Sequence, residues 1–266
     1  MSTSLEESLS YPSRGDDALE RFLLGAGPAA LLGVLGVVLA LISLIPLVGL
    51  VTLVIYPFLL IAQLAVLVVW LGYFVRVVQA TLAGTTTPPP LDDAGRLLRE
   101  GLYGLLVAIL YAIPGLLVTV VGSVAFAVFY GGFASVTSGE AASSALSLTA
   151  LALLAVGMLV VAALGFCYVY LFPIGLCCYA AEDSLGAAFD LSRLKAVAFE
   201  ADYAVSWLVY TGVIAVIIVT ITILNALLIG YLLSPLLPFV YFYLGIGSYY
   251  VFAGAYADAV GAPTTA

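Results

Sequence analysis

The 266 residues contain no histidine, one lysine and three cysteines, and only 8% of them are charged. Without histidine, and with no CxxC spacing, a metal centre lacks its usual nitrogen and sulfur ligands. Seven cations spread along the chain form no basic cluster, so a phosphate backbone finds no counterion-release footprint. Walker-type lysine loops, GxSxG elbows and HExxH pairs are missing as well, which removes the usual parts of nucleotide and hydrolase chemistry. Soluble domains carry about 25% charged residues, so this chain cannot coat a water-facing surface. These absences exclude a soluble enzyme, a nucleic-acid binder and a disordered tail. They lead us to expect no cofactor, no metal, no catalytic residue and no nucleic-acid partner.

What is present is apolar: 65% of the residues are hydrophobic. Four long stretches carry no charge, 22–75, 101–139, 141–181 and 203–257. A helix crossing the hydrocarbon core needs about 20 apolar residues. The first and last stretches hold two spans each, broken by Ile45-Pro46-Leu47-Val48-Gly49 and by Gly230-Tyr231-Leu232-Leu233-Ser234-Pro235. The other two hold one each. The expected fold is an all-α integral membrane protein with six transmembrane helices in three hairpins. Its spans lie roughly at 24–45, 50–76, 102–130, 146–173, 203–229 and 235–257. A polar acidic segment, 1–21, precedes a single membrane domain, 22–258, and a short tail, 259–266, follows. Seven charges within the first 21 residues, and an overlong apolar stretch after them, argue against a signal peptide.

Six spans put every cation on one side. Arg14 and Arg21 precede the first span; Arg76, Arg96 and Arg99 lie between the second and third; Arg193 and Lys195 lie between the fourth and fifth. The positive-inside rule then sets both termini in the cytoplasm of a cell-membrane protein, with Arg76, Arg96, Arg99, Arg193 and Lys195 marking the interface. Trp70, Tyr73, Tyr103, Tyr179, Tyr203 and Trp207 cluster at the same ends. Cys167, Cys177 and Cys178 lie in or just inside the fourth span, which reads as packing rather than a disulfide framework.

Ser4 to Leu9 reads as a short helix stopped by Pro12, after which Asp16-Asp17 caps the first span. Gly84 to Pro90 is a linker. Residues 91–101 read as an amphipathic helix in the cytoplasmic interface, with Leu91, Ala94, Leu98 and Leu102 on one face. A comparable segment, 185–200, is capped by Ser184 and carries an apolar stripe of Ala187, Leu191, Leu194 and Ala198. The order of short polar helix, span, turn and span thus recurs three times.

Several of these residues are shared with a known family. Tyr73-Phe74-Val75-Arg76, Gly84, Pro88-Pro89, Leu91-Asp92-Asp93, Gly101 and Tyr111 to Pro114 resemble domain of unknown function 4013, as do Gly186 to Asp190 and Tyr203 to Trp207. The resemblance runs over most of 8–258. It implies an uncharacterised multi-pass membrane protein, mainly of haloarchaea, with no family active site to carry over. A salt-loving host suits the balance of 15 acidic against seven basic residues.

No ionisable residue falls near the middle of any span, which argues against proton-coupled transport and voltage sensing. The polar residues at that depth are Gln63 in the second span and Ser248, Tyr249 and Tyr250 in the sixth. Such groups need partners in lipid, so we expect Gln63 to meet Tyr249 or Tyr250, either as interhelical glue or as the lining of a ligand cavity. Gly25/Ala29/Gly33 and Gly104/Ala108/Ala112 follow small-xxx-small spacing, for packing within the chain or between copies. Pro114 can kink the third span. The resulting expectation is a non-enzymatic structural, assembly or lipid-organising component, alone or as a homo-oligomer or with a membrane-protein partner. The alternative is a small permease or channel for a neutral or lipid-like solute.

Overall fold

The computed structural model of the chain describes residues 5–43, 45, 49–134, 140–226 and 229–261, and all regular structure among them is helical. A short helix α1 (Leu5–Ser10) runs into a 3-10 turn (Tyr11–Ser13). Then come α2 (Ala18–Ile42), α3 (Gly49–Leu82), α4 (Ala94–Ala134) and α5 (Glu140–Glu182). The chain continues through α6 (Leu191–Ala198), α7 (Ala201–Ala226), α8 (Ile229–Leu233) and α9 (Leu237–Val260). Six helical stretches are long and apolar enough to cross a membrane, with α8 and α9 together making the sixth. The break expected at 45–49 lies mostly outside the described residues. The one near Gly230–Pro235 is α8 followed by a 3-10 turn, Ser234–Leu236. Prolines at 28, 57, 114 and 173 all sit inside helices, so Pro114 leaves α4 continuous.

Local chemistry changes two expected segments and one expected cap. Residues 91–101 form no separate interfacial helix, because no breaker follows Ala94 and the segment is simply the beginning of α4. Asp93 starts it in the left-handed region (φ 51°), its carboxylate accepting from the Arg96 N–H at 3.1 Å. Segment 185–200 splits into a 3-10 turn, Ala187–Phe189, and α6. Its cap is Asp190, which accepts from the backbone N–H (2.9 Å) and hydroxyl (2.7 Å) of Ser192, whereas Ser184 offers only its carbonyl, to Ala187. Asp17 stands at the N-cap of α2 without a side-chain capping bond.

The chain divides into two compact units, Met1–Leu106 with Pro173–Ala266, and Val107–Phe172. At the heart of the first lies α9, buried at nearly every position from Phe242 to Ala257. Phe242 is fully buried, with Trp70, Tyr73, Phe74 and Phe22 rings centred 5.3–6.2 Å away. Glycines make room for these rings. A Cβ on Gly25 would sit 2.4 Å from Phe242, and one on Gly245 would sit 2.4 Å from Phe74. The Gly25 row therefore packs within the chain, and Gly104 does the same against Leu71 and Leu176. The closest approach is between α3 and α4, where a Cβ on Gly72 would lie 2.0 Å from the Leu97 carbonyl oxygen. One on Gly101 would lie 1.9 Å from that of Val68.

The second unit pairs apolar helix against apolar helix, with Gly115 facing Leu164 and rings stacked along α5 (Phe166 on Tyr170, Tyr168 on Phe172). Leu116, Leu117, Val121, Met158 and Leu159 are outward-facing, as lipid-facing side chains are. Cys177 and Cys178 are buried, Cys167 is exposed, and all three are free thiols.

Candidate functional site

Charged groups of the first unit are joined in a chain of pairs at its polar end. Arg76, from α3, donates to the backbone oxygen and carboxylate of Asp92, both at 2.6 Å, fastening the linker. Arg96 pairs with Glu100 at 2.6 Å and reaches Gln79 at 2.9 Å; Arg99 faces Asp183 at 3.8 Å. Arg193 pairs with both Glu182 and Asp190. Arg14 reaches the Thr86 carbonyl at 3.4 Å. The Arg76 guanidinium holds the exposed Asp92 carboxyl below the usual range, so this pairing exists at neutral pH and is lost as pH falls through that lowered value. Replacing Asp92 with Asn is expected to loosen the linker, seen as faster proteolysis near Gly84, with little change in the midpoint of thermal denaturation.

Beside this layer the N-terminal segment is seated in a groove built by α7 and α9. Three tyrosine hydroxyls hold three successive residues. Tyr250 donates to the Glu7 carboxylate at 3.3 Å, Tyr210 shares a hydrogen bond with the Ser8 hydroxyl at 2.8 Å, and Tyr243 donates to the Leu9 carbonyl. Ser8 and Tyr11 are completely buried. The Tyr11 ring lies flat on that of Tyr250, centroids 3.9 Å apart and planes 16° from parallel. The floor is Gly247, where a Cβ would stand 2.8 Å from the Ser8 carbonyl oxygen and 2.6 Å from the Tyr210 hydroxyl. Only a residue without a side chain lets the segment lie this close.

The segment is held at its root too. Arg21, nearly fully buried, donates to the carbonyls of Pro12 (3.1 Å) and Arg14 (3.2 Å), and Gly15 makes the turn into α2 with φ +90°. Arg14 folds back over the segment, 3.0 Å from the Ser10 hydroxyl and 3.6 Å from Glu7. The Tyr11 hydroxyl is buried without a well-formed hydrogen bond; its neighbour Thr81 already donates to Val77.

Burial pushes the Tyr11 phenol up to about 12 from its ordinary 10. The sign is that of a raised group: docking is fully favoured below about pH 10 and weakens as pH climbs through 12. Raising the pH across that window is expected to free the segment. The anisotropy of a dye on the N-terminal amine should fall there, and Tyr11→Phe should lessen that fall, leaving the part due to Tyr210, Tyr243 and Tyr250.

The residues expected to meet in mid-membrane do not meet. Gln63 is exposed on the outer surface of α3, away from the tyrosines. Tyr249 stacks on Phe74, 5.0 Å between centroids, and Phe74 lies three turns of α3 from Gln63. Tyr250 belongs to the groove, and Ser248 donates to the Gly245 carbonyl in its own helix. The expected depth was misjudged because α3 extends to Leu82, which sets the level of Tyr249 nearer the charged rim. Trp70 and Tyr73 donate inward, to the carbonyls of Gly25 (2.8 Å) and Pro89 (2.9 Å). The sequence reading missed the N-terminal docking. Its signal was Tyr11-Pro12 in an otherwise polar segment, together with tyrosines seven residues apart, 243 and 250, flanking a glycine.

The profile of the family described as Protein of unknown function (DUF4013) matches residues 55–226, more than half of the chain. The match takes in α7 with Tyr210 and leaves outside both the N-terminal segment and α9. No curated protein and no solved structure matches the chain.

Proposed function

The chain belongs to the family Protein of unknown function (DUF4013), which carries no assigned reaction, and from that premise we propose that this multi-pass membrane protein is a non-enzymatic structural or assembly component that organises its lipid and protein neighbours. The supporting observation is that the polar ring groups gathered in the first unit are engaged inside the fold. Tyr210, Tyr243 and Tyr250 hold the chain's own N-terminal segment, and Trp70 and Tyr73 hold backbone carbonyls. The large side chains facing outward are mostly apolar, suited to lipid or to another membrane helix.

Stopped-flow flux of neutral solutes, glycerol and urea, into proteoliposomes tests this reading. Rates equal to those of empty liposomes are expected; a faster flux would overturn it in favour of a permease. Gln63→Leu is expected to change stability by no more than about 0.5 kcal/mol, as an outward substitution does, measured by thermal denaturation in detergent.

We also propose that both termini are cytoplasmic. All seven cations belong to the first unit, and the pairs linking Arg14, Arg76, Arg99 and Arg193 to neighbouring loops gather at one end of it. Labelling of single cysteines introduced at residues 16 and 258 in intact cells, with a membrane-impermeant maleimide, should fail at both sites. The acidic balance fits a salt-loving host, where surface carboxylates keep proteins soluble in brine.

A further inference from the structure

We propose that the outward face of α6, formed by Leu191, Lys195 and Phe199, is a binding site for an anionic phospholipid, with Lys195 on the headgroup phosphate and the two apolar side chains against the acyl chains. This rests on the lipid-organising reading above and names the place and the lipid chemistry. Residues spaced by four follow one side of a helix, here from Leu191 to the C-cap Phe199 over about 12 Å. The same helix turns Leu194 and Val197 inward, where both are buried. Its outward face is therefore distinct from the one that holds it to the fold.

Position points to the occupant. Helix α6 joins α5 to α7, and both of these are long and apolar enough to cross a membrane. The connection thus lies at the end of two spans, in the headgroup layer. Phe199 is 87% exposed, more than any other large apolar side chain among the described residues, and Leu191 is 69% exposed. Such side chains are costly in water and suited to the boundary between headgroups and acyl chains.

Charge points to the headgroup. The six arginines each face a carboxylate or a backbone carbonyl of the chain. Lys195, the one lysine, is exposed and pairs with no carboxylate among the described residues. Its acidic neighbours are placed elsewhere. Arg193 takes Glu182 and Asp190, while Glu200 and Asp202 stand at the start of α7, where carboxylates suit the helix N-terminus. A lysine on this face can lay its stem along the apolar surface and present its ammonium to a phosphate.

Phe199→Trp reports the contact and Lys195→Gln tests the charge; both replace exposed side chains. The protein is placed at low salt in nanodiscs of mixed phosphatidylcholine and phosphatidylglycerol, with bromine on the acyl chains of one lipid or the other. The readout is quenching of the Phe199→Trp protein beyond that of the wild type, which carries Trp70 and Trp207. Brominated phosphatidylglycerol should quench roughly fivefold more effectively per molecule than brominated phosphatidylcholine, the worth of one cation near an anionic surface. Adding Lys195→Gln should bring the two lipids level, and adding Lys195→Arg should keep the preference. Equal quenching by both lipids with Lys195 in place would overturn the anionic site. No quenching by either would overturn lipid contact altogether. Solute flux above that of empty liposomes, with the quenching preference intact, would unseat the assembly reading alone, so the two fail separately.

Discussion

Gly101→Val should leave little folded protein. The added Cβ would stand 1.9 Å from the Val68 carbonyl oxygen and 2.7 Å from its carbonyl carbon, and backbone cannot swing aside as a side-chain tip can. Relief requires α3 and α4 to separate by more than 1 Å along their closest contact. That would also disturb Gly72 on the opposite helix, whose own space is set by Leu97. Overpacking a core commonly costs about 1–3 kcal/mol, and a backbone-to-backbone clash belongs at or beyond the top of that range. Gly72→Ala should behave alike. Gly157→Ala is the control: a Cβ there meets nothing within 4 Å, so the better helix former should be neutral or stabilising by up to about 1 kcal/mol. Yield of monodisperse protein and the midpoint of thermal denaturation separate the two classes. A stable Gly101→Val protein would mean that the helices do not approach as described.

Tyr11→Ala should release the N-terminal segment while leaving the helices in place. Tyr11 is fully buried against Tyr250, and truncating a buried aromatic to alanine commonly costs about 3–5 kcal/mol. The segment has few other anchors: the bonds of Glu7, Ser8 and Leu9 to tyrosines, and of Pro12 and Arg14 to Arg21. Net hydrogen bonds contribute about 1 kcal/mol each, so a loss of this size turns a closed segment into a largely open one. Trypsin reports it at Arg14, whose carbonyl is held by Arg21 while the segment is docked. Cleavage should become far faster in the variant, with unchanged helical circular dichroism. Equal cleavage rates would show that the ring contributes little to docking.

How much of this was legible beforehand follows from which interactions have a sequence period. The spans were, because charge is excluded from hydrocarbon whatever the partners: the ends of the charge-free stretches lie close to the ends of α2, α3, α7 and α9. The linker was legible from Gly84 and its three prolines. Rotational facing was not. A helix that is apolar all round shows no stripe, so nothing marked Gln63 as outward and Phe242 as central. The start of α4 was misread because Leu91, Ala94 and Leu98 do form a stripe, and a stripe does not reveal whether the helix stops. The groove was hidden for another reason. Ser8 and Tyr210, or Tyr11 and Tyr250, lie at opposite ends of the chain, and pairing across that distance leaves no local pattern.

That separation also fixes an order of events during synthesis. The segment is made well before α9, which completes its groove. At a ribosome's pace of about 5–20 residues per second, roughly ten to fifty seconds pass between the two. Throughout that interval the segment lacks its groove, and it closes only once α9 has been inserted. Protection of residues 7–11 therefore reports that α9 is in place, and a chain truncated before α9 would leave them open to a cellular protease.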